Sequence, residues 1–412
     1  MPARDASPRM QVVASTMEAT LPGVYLSPRA VDAGVEPVHT GTPVFLGVRG
    51  IDRVIRLDCD ERDAIVAAAA AMRGMTPYAL RGFFANGGRR CYLVPADSAG
   101  TGQADVDALE AMETHAGDFD LVCAPDLAAS VPADELARAH ARILAWCARG
   151  GRHFAILDAP RRADDLDAYR QALAAAMRGR PGVEASFGAG YGPWLQVARG
   201  RPSQHTDAHP AVDAMSGMAV PACGHIAGVY SRNDRAAGVW SAPANEVVIG
   251  AVALDGEGAD APAAVGRAGI NPLRGFRKRG IRVWGARTFY DGADSGLRYV
   301  TARRTLQVVT RRLEQVLAPL VFEPDTPLLW VRVNRIVNAL FENMYRSGVL
   351  AGGTPEQAYF VRCDADTNPP QVRESGQVVV EAGIAVVAPA EFITIDIRVG
   401  GNDLAIFQHV GG

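Results

Sequence analysis

An open α/β domain followed by a smaller α+β region is the architecture predicted for this chain of 412 residues. Between residue 50 and roughly residue 295, short apolar strands alternate with amphipathic helices, the pattern of a parallel sheet covered on both faces. After Tyr299 two long helices give way to strands alone. A hydrophobic content of 48% is enough to bury a sizeable core.

Taken in order, residues 1 to 20 are polar and broken by Pro2 and Pro8, which predicts a flexible arm. PGVYLSP, Pro22 to Pro28, is β-prone and bracketed by prolines, so it reads as an edge strand that must pair with something distant in sequence. Helices are expected over Asp63 to Met72 and Tyr78 to Asn86, then a strand at CYLVPA from Cys91. FDLVCAPD (Phe119 to Asp126) and HFAILDAP (His153 to Pro160) are apolar throughout, as buried parallel strands are, and flank an amphipathic helix over Asp134 to Arg149. A helix over Ala163 to Met177 precedes a strand at PWLQVA, and GAGYGP (Gly188 to Pro193) between them reads as a turn. HIAGVYSRNDRAAGVWSAPANEVV, rich in glycine and proline, predicts long loops. Beyond Tyr299, helices over Val300 to Leu317 and Leu328 to Arg346 lead to a strand at Tyr359 to Cys363. An antiparallel pair follows, Val378 to Pro389 with Glu391 to Val399.

Charge and cysteine content narrow the function. A net charge of −3 gives no overall basic excess for a phosphate backbone, so direct binding of nucleic acid is not expected. The six cysteines, Cys59, Cys91, Cys123, Cys147, Cys223 and Cys363, form no CxxC pair and read as small buried hydrophobes in a reducing compartment. The N-terminal residues lack the apolar stretch of a signal peptide, and no apolar run reaches the ~18 residues of a membrane span. Synthesis and folding in the cytoplasm, with no direct membrane contact, are the expectation.

Three patterns could be mistaken for active sites. His39, Ser216 and Asp158 together suggest a subtilisin-type serine hydrolase, the alternative function. However, the histidine comes first in the chain, and Gly217 separates Ser216 from Met218, which turns the hydroxyl from the helix start it needs. His205, Asp207 and His209, with Cys223 and His225, are possible zinc ligands, but the first three lie in a proline-flanked loop where nothing makes them converge. The glycines of GAGYGP are followed by a proline and a β-prone run, so they open no phosphate-binding helix. The only lysine, Lys278, lies elsewhere. No catalytic residue, metal or cofactor is therefore assigned.

The segment GIRVWGARTFYDG, Gly280 to Gly292, is free of bond-making groups and rich in indole and guanidinium, as an assembly element would be. The basic run Arg274, Arg277, Lys278, Arg279 and Arg282 suits a solvated face, an RNA patch or a protein contact. Arg303, Arg304, Arg311 and Arg312 fall along one broad side of a helix, where guanidinium groups can make bidentate carboxylate contacts.

These segments also carry a resemblance. LPGVYLSP, YALRGFFANGGRRCYLVP, FGAGYGPWLQV, GHIAGVYSRNDRAAGVWSAPANEVV, GINPLRGFRKRGIRVWGARTF, VFEPDTPLLW, GGTPEQAYFVRCD and PAEFITIDI occur in the order and spacing of sheath proteins of contractile phage tails and related phage-like injection particles. The resemblance implies a subtilisin-like but non-catalytic α/β domain (29–298), an α+β C-terminal sheath domain facing an inner tube (299–412), and an extended N-terminal arm (1–28). It implies hexameric rings stacked around that tube, contraction without nucleotide, and baseplate and terminal cap partners within a phage tail or released extracellular particle. It also implies strand exchange between subunits, through Pro22, Gly23, Val24, Tyr25 and Leu26 at one end and Phe392, Ile393 and Ile395 at the other. Arg282, Trp284 and Arg287 are then expected to anchor the domain junction, and Arg303, Arg304, Arg311 and Arg312 to contact the tube or another subunit. The compact length fits a small phage tail, a tailocin or an extracellular injection system.

Overall fold

The computed structural model describes residues 38–96, 109, 118–198, 217–256, 261–292, 296–321, 323–374, 376–386, 392–400 and 403–410. The chain begins there with β1 (Pro43–Val48), β2 (Ile55–Asp58), α1 (Arg62–Ala71), α2 (Thr76–Ala85) and β3 (Arg90–Pro95). It continues with β4 (Leu121–Cys123), α3 (Pro125–Ser130), α4 (Ala133–Gly150), β5 (Phe154–Asp158), α5 (Leu166–Met177), β6 (Gly188–Gly192), β7 (Leu195–Val197) and β8 (Met218–Val220). Next come α6 (Cys223–Ala237), β9 (Ala251–Leu254), α7 (Ala261–Arg267), β10 (Asn271–Phe276) and β11 (Gly280–Val283). The remaining elements are α8 (Val300–Leu317), α9 (Pro327–Arg346), α10 (Pro355–Ala358), β12 (Tyr359–Arg362), α11 (Pro370–Glu374), β13 (Gln377–Ala385), β14 (Phe392–Gly400) and β15 (Asp403–Val410).

Eight strands form the main sheet in the order β11-β10-β6-β5-β4-β1-β3-β2. Its six inner strands run parallel, and β11 and β2 pair antiparallel at the two ends. The strands are apolar throughout because both faces are covered and successive side chains point to opposite sides. Val44, Val122, Ala155 and Leu157 pack with α4 and α5, whereas Phe45, Leu121, Cys123, Phe154 and Ile156 pack with α2 and α6. A third cluster joins α8 and α9 to β12 and β13. There the antiparallel sheet β12-β13-β14-β15 includes the expected pairing, with Ile384 opposite Ile393.

Two segments differ from expectation. GAGYG is no turn but the buried strand β6, hydrogen-bonded between β5 and β10. Its glycines serve close packing: a Cβ on Gly190 would lie 2.7 Å from the Phe289 ring. Likewise HIAGVYSRNDRAA is no loop but part of α6, which is buried along most of its length. Gly224 lets α6 press on α2, since a Cβ there would stand 2.4 Å from the carbonyl oxygen of Ala79. Helix propensity counts against glycine by about 1 kcal/mol, and tertiary packing outweighs it. Gly224→Ala is therefore expected to destabilise the fold by about 1–3 kcal/mol in urea denaturation, because backbone must move to admit one methyl group.

Candidate assembly site

The residues that tie the α8 region to the main sheet are polar and buried. Asn271, at the start of β10, donates to the carbonyl oxygens of Gly190 (3.1 Å) and Arg287 (2.7 Å) and accepts from the Arg287 amide (2.7 Å). The Thr288 hydroxyl donates to the Leu297 carbonyl at 2.7 Å, and the Val300 amide reaches the Ala286 carbonyl at 3.0 Å. These bonds lead the chain from the sheet into α8.

Three residues past the start of that helix, Arg303 is fully buried, with its guanidinium 4.1 Å from the centre of the Phe187 ring. Arg304, 3% exposed, grips two carboxylates: Asp234 at 2.7 and 2.5 Å, and Asp120 at 3.0 Å. Its guanidinium also lies 4.9 Å from the centre of the Tyr230 ring. Asp120 accepts in turn from the amides of Gly41 (3.0 Å) and Thr42 (2.7 Å), and Arg311 donates to the His39 carbonyl at 2.8 Å. Burial holds the Asp234 carboxyl above its ordinary value although Arg304 pulls against it; burial lowers Arg304, and Asp234 with Asp120 more than restores it. The short two-pronged contact keeps Arg304 protonated and Asp234 ionised.

Arg303 and Arg304 are thus removed from the set of possible tube or subunit contacts: they hold the chain to itself. The 3.6-residue period could have shown part of this, because Arg303 shares a helical stripe with Leu306, Leu313 and Leu317. Arg311 and Arg312 remain half-buried nearer the surface. The sequence reading also left out an exposed apolar pair on α9, where Leu328 (78% exposed) and Val331 (64%) share a face with Arg335, Ala339 and Arg346.

Of the three proposed junction residues, Arg282 and Trp284 lie on the β10–β11 hairpin or directly after it. Arg282 lies on β11 in an antiparallel hairpin with β10, and it donates to the Asn245 carbonyl. Trp284 is 39% exposed and packs on Phe276 with ring centres 4.7 Å apart. Arg274 caps both rings at 5.7 and 5.9 Å, and Arg279 lies 5.6 Å from Phe276. Arg287 reaches the junction through its main chain, while its side chain is exposed.

Of the strand-exchange residues, Pro22 to Leu26 lie outside the described residues. Phe392, Ile393 and Ile395 belong to β14, which pairs with β13 on one side and β15 on the other. The outer edge of this sheet on that side is therefore β15, which the sequence reading left out.

The hydrolase arrangement is not assembled among the described residues, since Ser216 lies outside them and His39 is exposed. Asp158 is buried and accepts the Cys223 amide at 2.8 Å, where it holds the start of α6. Burial pushes its carboxyl up to about 7 against the pull of that hydrogen bond. His205, Asp207 and His209 also lie outside the described residues. Cys223 and His225 sit in the first turn of buried α6, and among the described residues no three groups are disposed to hold a metal ion.

Comparison with known proteins agrees with this geometry. Residues 99–289 match the family model for the phage tail sheath protein central domain, and residues 293–400 match that for the phage tail sheath C-terminal domain. A chain of the 6-fold symmetrised cryo-EM structure of the anti-feeding prophage (AFP) baseplate is 27% identical, with 91% of this chain and 97% of that one covered and a TM-score of 0.65. A chain of the PVC extracellular contractile injection system sheath complex in its contracted state is 26% identical (91% and 96% covered, TM-score 0.66). The AFP helical sheath in its contracted state gives 26% identity (91% and 98% covered, TM-score 0.64). No curated protein matches the sequence.

Proposed function

Since the chain belongs to the phage tail sheath family and is a structural subunit of a contractile sheath, we propose that it stacks as hexameric rings around an inner tube and contracts to drive that tube through a target envelope. The observation that carries this reading is the pair of family matches, which run almost continuously from residue 99 to residue 400. The reading makes the chain a non-enzymatic component that takes no cofactor, assembles in the bacterial cytoplasm with baseplate and cap proteins, and works within a phage tail or extracellular particle.

In this proposal residues 1–28 are an exchangeable arm, 29–298 a rigid α/β body and 299–412 the tube-facing domain. An arm strand at Pro22 to Leu26 adds to the sheet of a neighbour, and the β14–β15 hairpin forms the other side of the exchange. Backbone hydrogen bonds then keep subunits connected while rigid bodies rotate. Arg311, Arg312 and the outward face of α9 are the candidate tube or subunit contacts.

The purified chain, alone or with its tube protein, is expected to form ordered tubes by negative-stain electron microscopy. A variant lacking residues 1–28 should fold and remain unpolymerised. Normal tubes from that truncation would rule out exchange through the arm, and a chain that stays monomeric with its tube partner would rule out the sheath mechanism.

A further inference from the structure

Residues 261–290 contain seven cations and no carboxylate, in a chain whose net charge is −3, so the remaining residues together carry −10. Five of the seven, Arg274, Arg277, Lys278, Arg279 and Arg282, lie on or between β10 and β11 at one end of the main sheet. All but Arg282 are exposed. Lys278 takes the turn in left-handed backbone geometry (φ 63°), where glycine would fit at less cost. Beside it the Phe276–Trp284 pair, capped by Arg274 and Arg279, leaves an indole and two oriented guanidinium groups at the surface.

We propose that this hairpin is a self-assembly contact, which docks on a carboxylate-bearing surface of a second copy of the chain in a head-to-tail arrangement. The proposal rests on the sheath reading and adds to it the side chains that join one subunit to the next. Charge selects the geometry. Two such hairpins repel each other, so a symmetric contact of the patch with itself is unfavourable, whereas a basic patch on an acidic one is favourable at every step. Head-to-tail contacts either close into rings or extend as helices. The −10 carried elsewhere on the chain supplies the anionic complement. Tryptophan and arginine are the residues that dominate binding energy at interfaces. Stacking on the rings holds the guanidinium groups in place before docking, which lowers the ordering cost. A single-stranded nucleic acid could also use aromatic and basic groups, but the negative charge of the whole chain opposes it.

The test uses the full chain with Arg274→Glu, Arg277→Glu and Arg279→Glu combined, beside the same three changed to lysine. The side chains are exposed, so circular dichroism and melting should stay close to wild type. If they do not, Arg277→Glu alone, which removes no ring contact, replaces the triple variant. The glutamate variant is expected to raise the critical concentration for polymerisation at least about tenfold, and the lysine variant much less. Wild-type polymerisation should weaken with added salt. Mixed at one part in ten with wild type, the glutamate variant should shorten the polymers, because its intact acidic surface adds to a growing end that it cannot then extend. Three results would overturn the inference: polymerisation by the glutamate variant equal to wild type with the same salt dependence, a defect seen only when tube protein is present, or loss of oligonucleotide binding with polymerisation unchanged. A wild-type chain that never polymerises would sink the sheath reading, and this contact with it.

Discussion

Arg304→Met is expected to lower the stability of the folded subunit by about 3–5 kcal/mol, the cost of leaving buried charge uncompensated. Asp120 and Asp234 have side chains only 8% and 2% exposed, and Arg304 is the cation that touches both. Methionine fills similar volume and preserves contact with Tyr230, so the loss measured is electrostatic more than steric. Adding Asp234→Asn to Arg304→Met should recover part of it, because one stranded charge is then gone. Urea denaturation of the three proteins measures the effect. A single-variant loss under 1 kcal/mol would mean that water or rearrangement already neutralises the pair. The position matters because Asp120 also holds the amides of Gly41 and Thr42, so one ion cluster joins α8 to the strand entering the main sheet.

Acidification is the second large effect. His140 and His153 are held down to about 3 and His225 to about 4, in each case first by burial. His153 packs against the rings of both Phe119 and Trp146, with centres 4.5 and 4.7 Å away, and its Nδ1 has no hydrogen-bond partner among the described residues. The unfolded chain protonates these imidazoles near pH ~6.5 while the folded chain does not, so stability is fully present above that pH and falls as pH drops toward 4 and 3. At pH 5 each costs about 2 kcal/mol. Asp158 acts in the opposite sense: its folded value of about 7 lies above its unfolded one, so it gains stability as pH falls and returns about 2 kcal/mol over the same interval. A net loss of about 3–4 kcal/mol between pH 7 and pH 5 is expected from urea midpoints at the two values. His153→Phe should reduce that slope by about 2 kcal/mol. An unchanged slope would show that the imidazole is protonated in place.

Periodicity made most of the fold legible. Helix α8 runs over the residues expected from its apolar spacing, and the all-apolar runs at Leu121–Cys123 and Phe154–Asp158 are inner parallel strands. The failures share one cause. GAGYG looked like a turn and HIAGVYSRNDRAA like a loop because glycine has poor intrinsic propensity for strand and helix, and nothing local reveals a neighbouring Ala79 backbone or Phe289 ring that leaves no room for a Cβ. The arginines failed similarly. Arg303 and Arg304 looked like surface groups because arginine is seldom buried without partners: Arg303 packs on the distant Phe187 ring, and the carboxylates of Arg304, Asp120 and Asp234, lie 184 and 70 residues away.

By itself the sequence determined the α/β alternation, the two-sided burial of the main sheet and the kinship with contractile sheaths, because apolar period and motif order are written along the chain. Only the tertiary structure decided which cations face inward as a clamp and which face outward on the β10–β11 hairpin. A guanidinium group becomes a core group or a contact group according to whether folding brings a distant carboxylate within reach, and that distance is not local information.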